Sequence, residues 1–112
     1  MRKLLVLALF TVLSGALAAT ALAATKTVKV GDDWFVRPSG TPSVTIRSGD
    51  TVRWSWVGDA PHNVTVTRGP VKFRSRTMSS GSFRKKVTRR GRYTIVCTIH
   101  GARDQSMRLV VR

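Results

Sequence analysis

One cysteine and two histidines are the side chains of this 112-residue sequence best suited to hold a transition metal. Cys97 and His100, in the segment GRYTIVCTIH, are close enough for a strand end and the turn after it to present a sulfur and an imidazole to one ion. His62 lies far upstream, within APHNV. Two imidazoles and one thiolate are the trigonal ligand set of blue-copper electron-transfer sites, which a weak axial ligand completes.

Other interpretations of these residues stay open. A lone histidine such as His62 is often a structural residue. A single cysteine in an exported protein is a buried hydrophobe, a reactive thiol or a metal ligand, since it has no partner for an internal disulfide. Zinc accepts the same ligands, but structural zinc sites usually contain CxxC-type pairs, which this sequence lacks. Because all three residues fall at predicted strand ends or loops, the pattern favours copper.

The N-terminal residues have the layout of a secretory signal. The cations of MRK precede an apolar run that begins at Leu4 and ends on the small-residue triplet Ala21-Leu22-Ala23. We predict cleavage after Ala23, so that residues 1–23 are a signal peptide and residues 24–112 form one mature domain. The alternative is an uncleaved membrane anchor. The protein is therefore predicted to be exported, to the periplasm, the cell envelope or the extracellular space.

The sequence is strongly basic, with 20 Lys and Arg, five Asp and Glu, and a net charge of +15. Without Arg2 and Lys3 of the leader the balance is 18 − 5 = +13. The segment 68–92 contains ten Lys or Arg and no Asp or Glu. We expect this segment to attract an acidic redox protein at low ionic strength, or to contact an anionic membrane or cell-wall surface.

The elements that must position the three residues are predicted to be strands. Helical periodicity is nearly absent, and short alternating segments separated by Gly, Pro, Asp and Ser recur about every ten residues, as in an all-β sandwich or barrel. The predicted strands cover residues 27–30, 43–47, 51–57, 62–67, 81–87, a segment that opens at Gly91 and carries Cys97 at its core end, and 107–112.

Several side chains of these elements carry specific expectations. Trp54 and Trp56 fall on one face of their strand and are predicted to be core. Residues 68–80 are predicted to be a long loop or an irregular edge, anchored by Val71 and Phe73. Lys85 interrupts the apolar face of the 81–87 segment, so that strand is predicted to be short or at a sheet edge.

Three segments in this order, SGDTVRWSW, APHNV and GRYTIVCTIH, resemble the plastocyanin-type cupredoxins, which carry a GDTV-type turn, a PHN histidine, a GxYxxxC strand and a Cys-x-x-His loop. The resemblance extends from Val28 to Val111. It implies an all-β, Greek-key cupredoxin β-sandwich, eight-stranded or similar, with one type 1 copper at one end. The implied copper ligands are His62, Cys97 and His100.

The resemblance also implies that Asn63 and Thr98 tie the two ligand segments together by hydrogen bonds, which fix ligands before the metal arrives. The sequence departs from the family at the axial ligand. Plastocyanins have a methionine five residues after the loop histidine, where this chain has Gln105, and Met107 begins the last strand. Glutamine replaces the axial methionine in stellacyanin-like cupredoxins, and an oxygen donor at the axial position should stabilise Cu(II) and lower the reduction potential.

We therefore predict Gln105 as the axial ligand, with Met107 as the alternative. Three other interpretations stay open: a solvated amide at Gln105, a core methionine at Met107, and a site without an axial protein ligand.

The predicted function is electron transfer by a monomer, without enzymatic activity. The resemblance implies that His100, beside the small Gly101 and Ala102, exposes a ring edge through which electrons reach a redox partner. An envelope protein that stores or delivers copper is one alternative. A basic β-domain that binds polyanions is another.

In the polyanion-binding alternative, single-stranded nucleic acid would stack on the aromatic side chains of Trp34, Phe35, Trp54 and Trp56. Export argues against a nucleic-acid partner, and this alternative leaves the spacing of Cys97 and His100 unexplained.

Overall fold

The computed structural model describes residues 22–112, which form seven strands and one short helix. The elements are β1 (Thr25–Val30), β2 (Ser43–Ile46), β3 (Thr51–Trp56), β4 (Thr65–Arg68), β5 (Ser82–Lys86), β6 (Gly91–Val96), α1 (Gly101–Asp104) and β7 (Ser106–Val111). The predicted signal peptide, apart from its last two residues, lies outside the described residues. Within the described residues, both sheets are built from strands that lie between residues 25 and 111.

Two sheets form the predicted β-sandwich, which is confirmed. One has three strands in the order β1-β3-β5, and the other has four in the order β2-β7-β6-β4. The pairs β1–β3 and β2–β7 are parallel, whereas β3–β5, β4–β6 and β6–β7 are antiparallel. The described residues thus form seven strands, close to the eight that the resemblance implied.

The core lies between the sheets, as the period-two alternation of the strands requires. In β3, Val52, Trp54 and Trp56 are buried, while the residues between them are half-exposed. The prediction that both tryptophans are core is therefore confirmed. Trp54 packs against Phe73 and Phe83, with ring centroids 6.0 and 5.7 Å away, and a fully buried large apolar side chain contributes about 1.5–3 kcal/mol.

Strand β5 lies at an edge of the three-stranded sheet, as its interrupted apolar face predicted. The ammonium of Lys85 lies 5.6 Å from the centroid of the Phe73 ring, a cation–π contact. Residues 69–80 contain no strand, and Phe73 is partly buried against the core. The prediction that Val71 anchors this loop is wrong, because Val71 is exposed just beyond Gly69 and Pro70, where the chain leaves β4.

The register defines two ends of the sandwich. Strands β1 and β3 are parallel, and the last residues that pair between them are Val30 and Trp56. Beyond β1, the carbonyl of Gly31 accepts a hydrogen bond from the side chain of Gln105, which lies between β6 and β7. We call this the site end. At the distal end, the turn at residues 47–50 bonds to the backbone of Val87 and Arg112.

Helix α1 has four residues, and no helix within residues 22–112 has the length and apolar character needed to cross a bilayer.

Candidate metal centre

The turn after β6 places Cys97 and His100 at the site end. Cys97 is fully buried, its N–H donates to the carbonyl of Gln105 at 3.1 Å, and its carbonyl accepts from the N–H of Gly101 at 2.8 Å. The chain then forms α1, a single helical turn too short to show periodicity in the sequence. Gly101 has a φ of +79°, a conformation that glycine adopts without strain.

Three predicted ligands converge at this end: the donor atoms of His62, Cys97 and His100 all lie within 4.8 Å of one another. The Cys97 sulfur is 3.8 Å from Nδ1 of His62 and 3.6 Å from Nδ1 of His100. Metal–sulfur and metal–nitrogen bonds of about 2.3 and 2.0 Å at a trigonal angle separate sulfur from nitrogen by about 3.7 Å. The observed separations therefore suit one ion between the three atoms.

The Cys97 sulfur faces one nitrogen of each imidazole ring. The rings of His62 and His100 have centroids 4.9 Å apart and both present Nδ1 to the sulfur. This arrangement is what a shared ion requires of a thiolate and two neutral imidazoles.

His62 precedes β4 instead of lying within it, so the predicted strand over residues 62–67 begins too early. Its backbone exchanges two hydrogen bonds of 2.9 Å with Met78, and its ring is fully buried. Nε2 lies 3.2 Å from Oδ1 of Asp32. Because Nε2–H donates to this carboxylate, the lone pair of the neutral ring is on Nδ1, which faces the sulfur.

Asp32 is the residue of this centre that the sequence analysis missed. Its Oδ1 also accepts the N–H groups of Asp59 and Ala60, both at 2.9 Å. Two hydrogen bonds hold the pKa of the Asp32 carboxyl below its usual value: the larger effect comes from the N–H of Ala60, and the next from the ring of His62. Gly58 makes room for this carboxylate, because a Cβ at that position would overlap Oδ1.

Asn63 and Thr98 join the two ligand segments. The Asn63 amide nitrogen donates to the Thr98 hydroxyl at 2.8 Å, and the Thr98 N–H donates to the Asn63 side-chain oxygen at 3.1 Å. That oxygen also accepts the hydroxyl of Thr65 at 2.8 Å. The residues next to His62 and Cys97 are therefore held in a fixed relation before any metal binds.

Gln105 is fully buried, and only its nitrogen is paired. Nε2 donates to the carbonyls of Gly31 and Trp34 at 2.9 and 3.0 Å, whereas Oε1 is buried without a hydrogen-bond partner in the described part of the chain. Rotating the amide would place its oxygen against two carbonyl oxygens, so the pairing fixes the orientation. The backbone of Gln105 is bonded to Cys97, and a buried amide oxygen with no hydrogen-bond partner is compatible with the predicted role of axial ligand.

Met107 is in a different environment. It is fully buried in β7 opposite Ile95, and its sulfur lies 3.4 Å from the indole nitrogen of Trp54, which donates to it. Leu109 and Val111 continue the same buried face. Met107 is thus placed as a core side chain, and Gln105 is the better placed of the two axial candidates.

His100 is only partly buried, unlike His62 and Cys97. Ile99, next to it, and Val57, in the turn after β3, are each 53% exposed, so apolar side chains are available to solvent at the site end. Of the four aromatic residues offered for stacking nucleic-acid bases, Phe35, Trp54 and Trp56 are buried and Trp34 is partly exposed, so the four do not form an exposed stacking surface.

The donor set fits copper. A thiolate and two imidazoles are soft and borderline ligands, and the amide oxygen of Gln105 would be a weaker fourth donor. Within residues 22–112 this is the group of His, Cys, Asp and Glu side chains that could share one ion.

Comparison with known proteins identifies similar sequences and folds. The sequence profile of the copper-binding proteins of the plastocyanin/azurin family matches residues 27–112. No curated protein matches the chain.

Three similar solved structures are variants of amicyanin. The Cu(I) form of a methionine-to-alanine variant is 24% identical, with a TM-score of 0.66, over 84% of this chain and 88% of that chain. A methionine-to-glutamine variant with Cu(I) is 25% identical, with a TM-score of 0.65, over 79% and 82%. An oxidised methionine-to-leucine variant is 24% identical, with a TM-score of 0.65, over 78% and 81%. These similarities show a shared fold.

Proposed function

The chain belongs to the plastocyanin/azurin family of copper-binding proteins, and from this premise we propose that it is an exported carrier of single electrons. The proposed ligands of its one type 1 copper are His62, Cys97 and His100, with Gln105 as the axial ligand. The observation that carries the proposal is the position of the Cys97 sulfur, 3.8 and 3.6 Å from the two imidazole nitrogens that face it.

The bound copper supplies a one-electron Cu(II)/Cu(I) couple. The protein holds the ligands still while the charge changes: His62 is fixed through Asp32, and the segments of His62 and Cys97 are joined through Asn63 and Thr98. Because these contacts do not depend on the metal, little of the protein has to rearrange when an electron arrives or leaves. Such rigidity favours rapid electron exchange over catalysis.

His100 is the proposed exit for electrons, because it is the partly exposed member of the set. Exposed Ile99 and Val57 offer apolar area for transient contact with a redox protein. We propose that the protein has no enzymatic activity and acts as a monomer.

An acidic redox partner stays a prediction. It is based on the uniformly positive charge of segment 68–92, much of which lies in β5 and in the turns of the distal end. Asp32, Asp33, Asp59 and Asp104, in contrast, all lie in segments that border the site. Attraction of an acidic protein would therefore act on the side and distal end of the sandwich more than on the surface around His100.

Cleavage of the leader after Ala23 is also proposed. Within the described residues, the N–H of Ala24 donates to Oδ1 of Asp50 at 2.8 Å, and the Ala24 carbonyl accepts from Thr51 at 2.9 Å. Cleavage would turn that backbone nitrogen into an ammonium group that already faces a carboxylate. N-terminal sequencing of the exported protein tests this, and a first residue other than Ala24 would contradict it.

The test of the carrier function is electrochemical. The copper-loaded protein should give a reversible one-electron wave and exchange electrons rapidly with a second redox protein, because its ligands are held in place. A protein that stores or delivers copper would instead release Cu(I) to a competing chelator on reduction and give an irreversible wave. That result would reject the carrier and favour the storage protein.

A further inference from the structure

The outer face of the three-stranded sheet is built entirely from hydroxyl and cationic side chains. Alternate residues of β1, β3 and β5 point away from the core, because the residues between them point into it. These nine outward positions, which we call the cationic face, are Thr25, Thr27, Lys29, Thr51, Arg53, Ser55, Ser82, Arg84 and Lys86. The face has four cations and no carboxylate or apolar side chain.

At the centre of the cationic face, two like charges oppose each other. Arg53 of β3 is paired in register with Arg84 of β5 on one side and with Thr27 of β1 on the other. Like charges directly opposite on neighbouring strands destabilise a sheet. The Nε of Arg53 is also buried without a hydrogen-bond partner among residues 22–112. The fold therefore concentrates positive charge here and supplies no counterion of its own.

The carboxylates of the chain lie elsewhere. All five acidic residues are aspartates: four border the site end, and the fifth, Asp50, is buried in the distal turn, where it accepts the N–H groups of Ala24 and Arg47. The molecule is thus polarised, with acidic side chains near the candidate copper and an uncompensated cationic face along the side of the sandwich.

The geometry points to the cationic face as a docking surface for the anionic headgroups of a lipid bilayer. Short hydroxyl groups between long cations form a broad array that suits a planar array of phosphate groups. The face has no apolar or aromatic side chain, which the centre of a protein–protein interface would require. Attraction to a membrane would be purely electrostatic and therefore reversible and sensitive to salt.

Docking in this way would leave the candidate copper centre accessible. His100 follows β6, which belongs to the other sheet, and it lies at the site end of the sandwich. A protein that rests on its three-stranded sheet would keep the partly exposed His100 ring free to meet a redox partner at the same membrane. The proposal rests on an exported location, but the docking itself does not require copper.

The test is co-sedimentation of residues 24–112 with phosphatidylcholine vesicles, with and without phosphatidylglycerol. Each cation close to an anionic surface contributes about fivefold in the partition coefficient. Replacing both central arginines, Arg53→Gln with Arg84→Gln, should therefore weaken binding to the anionic vesicles about 25-fold. Binding of the parent protein should also fall as the ionic strength is raised to about 0.15 M.

The matched control is Arg92→Gln with Arg108→Gln, which removes two exposed arginines from the outer face of the four-stranded sheet. Its net charge equals that of the first variant, so equal losses of binding in both would overturn the proposal in favour of a general charge effect. Binding to soluble polyphosphate but not to anionic vesicles would also overturn it.

Folding is checked independently. The first variant removes a like-charge pair, so its Tm should equal or exceed that of the parent. Because metal-free protein is expected to bind vesicles as well as loaded protein does, failure of docking is distinguishable from failure of the copper site.

Discussion

Asp32 accepts a hydrogen bond from the ring of His62, with 3.2 Å between Oδ1 and Nε2. The contact joins a loop after β1 to a residue that precedes β4, and it leaves Nδ1 of the ring free to face the Cys97 sulfur. A carboxylate in this position makes the imidazole a stronger donor, which favours the more highly charged metal ion. The strength of the ligand is therefore set by a residue that is not itself a ligand.

We predict that Asp32→Asn raises the reduction potential, because a neutral amide supports Cu(II) less well than a carboxylate. Loss of such a partner typically weakens metal binding about 10- to 100-fold, and each tenfold loss specific to Cu(II) corresponds to about 59 mV for one electron. Voltammetry measures the shift. Gly58→Ala, whose Cβ would displace Oδ1, should act in the same direction.

The control for this prediction is Asp33→Asn, which removes the same charge from the adjacent, exposed position. Its potential should change much less. Equal shifts in the two variants would show a long-range charge effect and would contradict a specific role for the Asp32 hydrogen bond.

The axial ligand is tested by a pair of substitutions. Gln105→Met should raise the potential, because a thioether replaces an oxygen donor and favours Cu(I). It should also lower the free energy of unfolding by about 1–3 kcal/mol, since the carbonyls of Gly31 and Trp34 lose their donor.

Met107→Leu should leave the potential nearly unchanged and cost about 1 kcal/mol of stability, through loss of the contact with the Trp54 indole. Voltammetry and urea unfolding of both variants give the two quantities. If instead the Met107 substitution moved the potential and the Gln105 substitution did not, Met107 would be the axial ligand.

The hydrogen bond between Asn63 and Thr98 is expected to support metal binding only by holding the segments of His62 and Cys97 in place, since neither residue is a proposed ligand. Thr98→Val removes the hydroxyl that accepts from Asn63 and should cost about 1 kcal/mol of stability and speed the loss of copper to a chelator. Thr98→Ser keeps the hydroxyl and should behave like the parent protein. Similar rates of copper loss from the valine and serine variants would argue against this role.

The Asp50 carboxylate should make the free energy of unfolding depend on pH. Its hydrogen bonds from the N–H groups of Ala24, chiefly, and Arg47 hold the pKa of the Asp50 carboxyl below its ordinary value of 3.8. A carboxyl whose pKa is lower in the folded state stabilises the fold at pH values above its ordinary, unfolded-state pKa. This contribution is lost as the pH falls through the lower pKa of the folded state.

Asp50→Asn should therefore be less stable than the parent protein near neutral pH, and the difference should shrink below pH 3.8. Urea unfolding at about pH 7, 5 and 3 measures the difference. Asp104→Asn, at an exposed position, is the control. A difference between Asp50→Asn and the parent that stayed constant over this range would mean that the carboxylate charge is not what stabilises the turn.

The sandwich was predictable because its strands alternate so regularly. Val52, Trp54 and Trp56 are separated by polar residues, and the same period places Tyr93, Ile95 and Cys97 inside. The spacing of Cys97 and His100 likewise predicted that they would meet, since local sequence determines the end of a strand and the turn after it.

Other features depend on contacts between distant segments, which no local pattern reports. Asp32 reaches His62 only because the loops after β1 and β3 close over the same end of the sandwich. The cationic face shows the same limit: Lys29 and Arg53 lie outside the basic run of residues 68–92, and only the pairing of β1 and β5 with β3 places them on the same face as Arg84.

The most direct test of the copper site is the visible absorption spectrum of the protein after addition of Cu(II). A thiolate and two imidazoles on one copper should give an intense blue or green charge-transfer band, and Cys97→Ser should abolish it. A colourless protein, or a band that survives in the serine variant, would contradict the claim that Cys97, His62 and His100 bind the same copper ion.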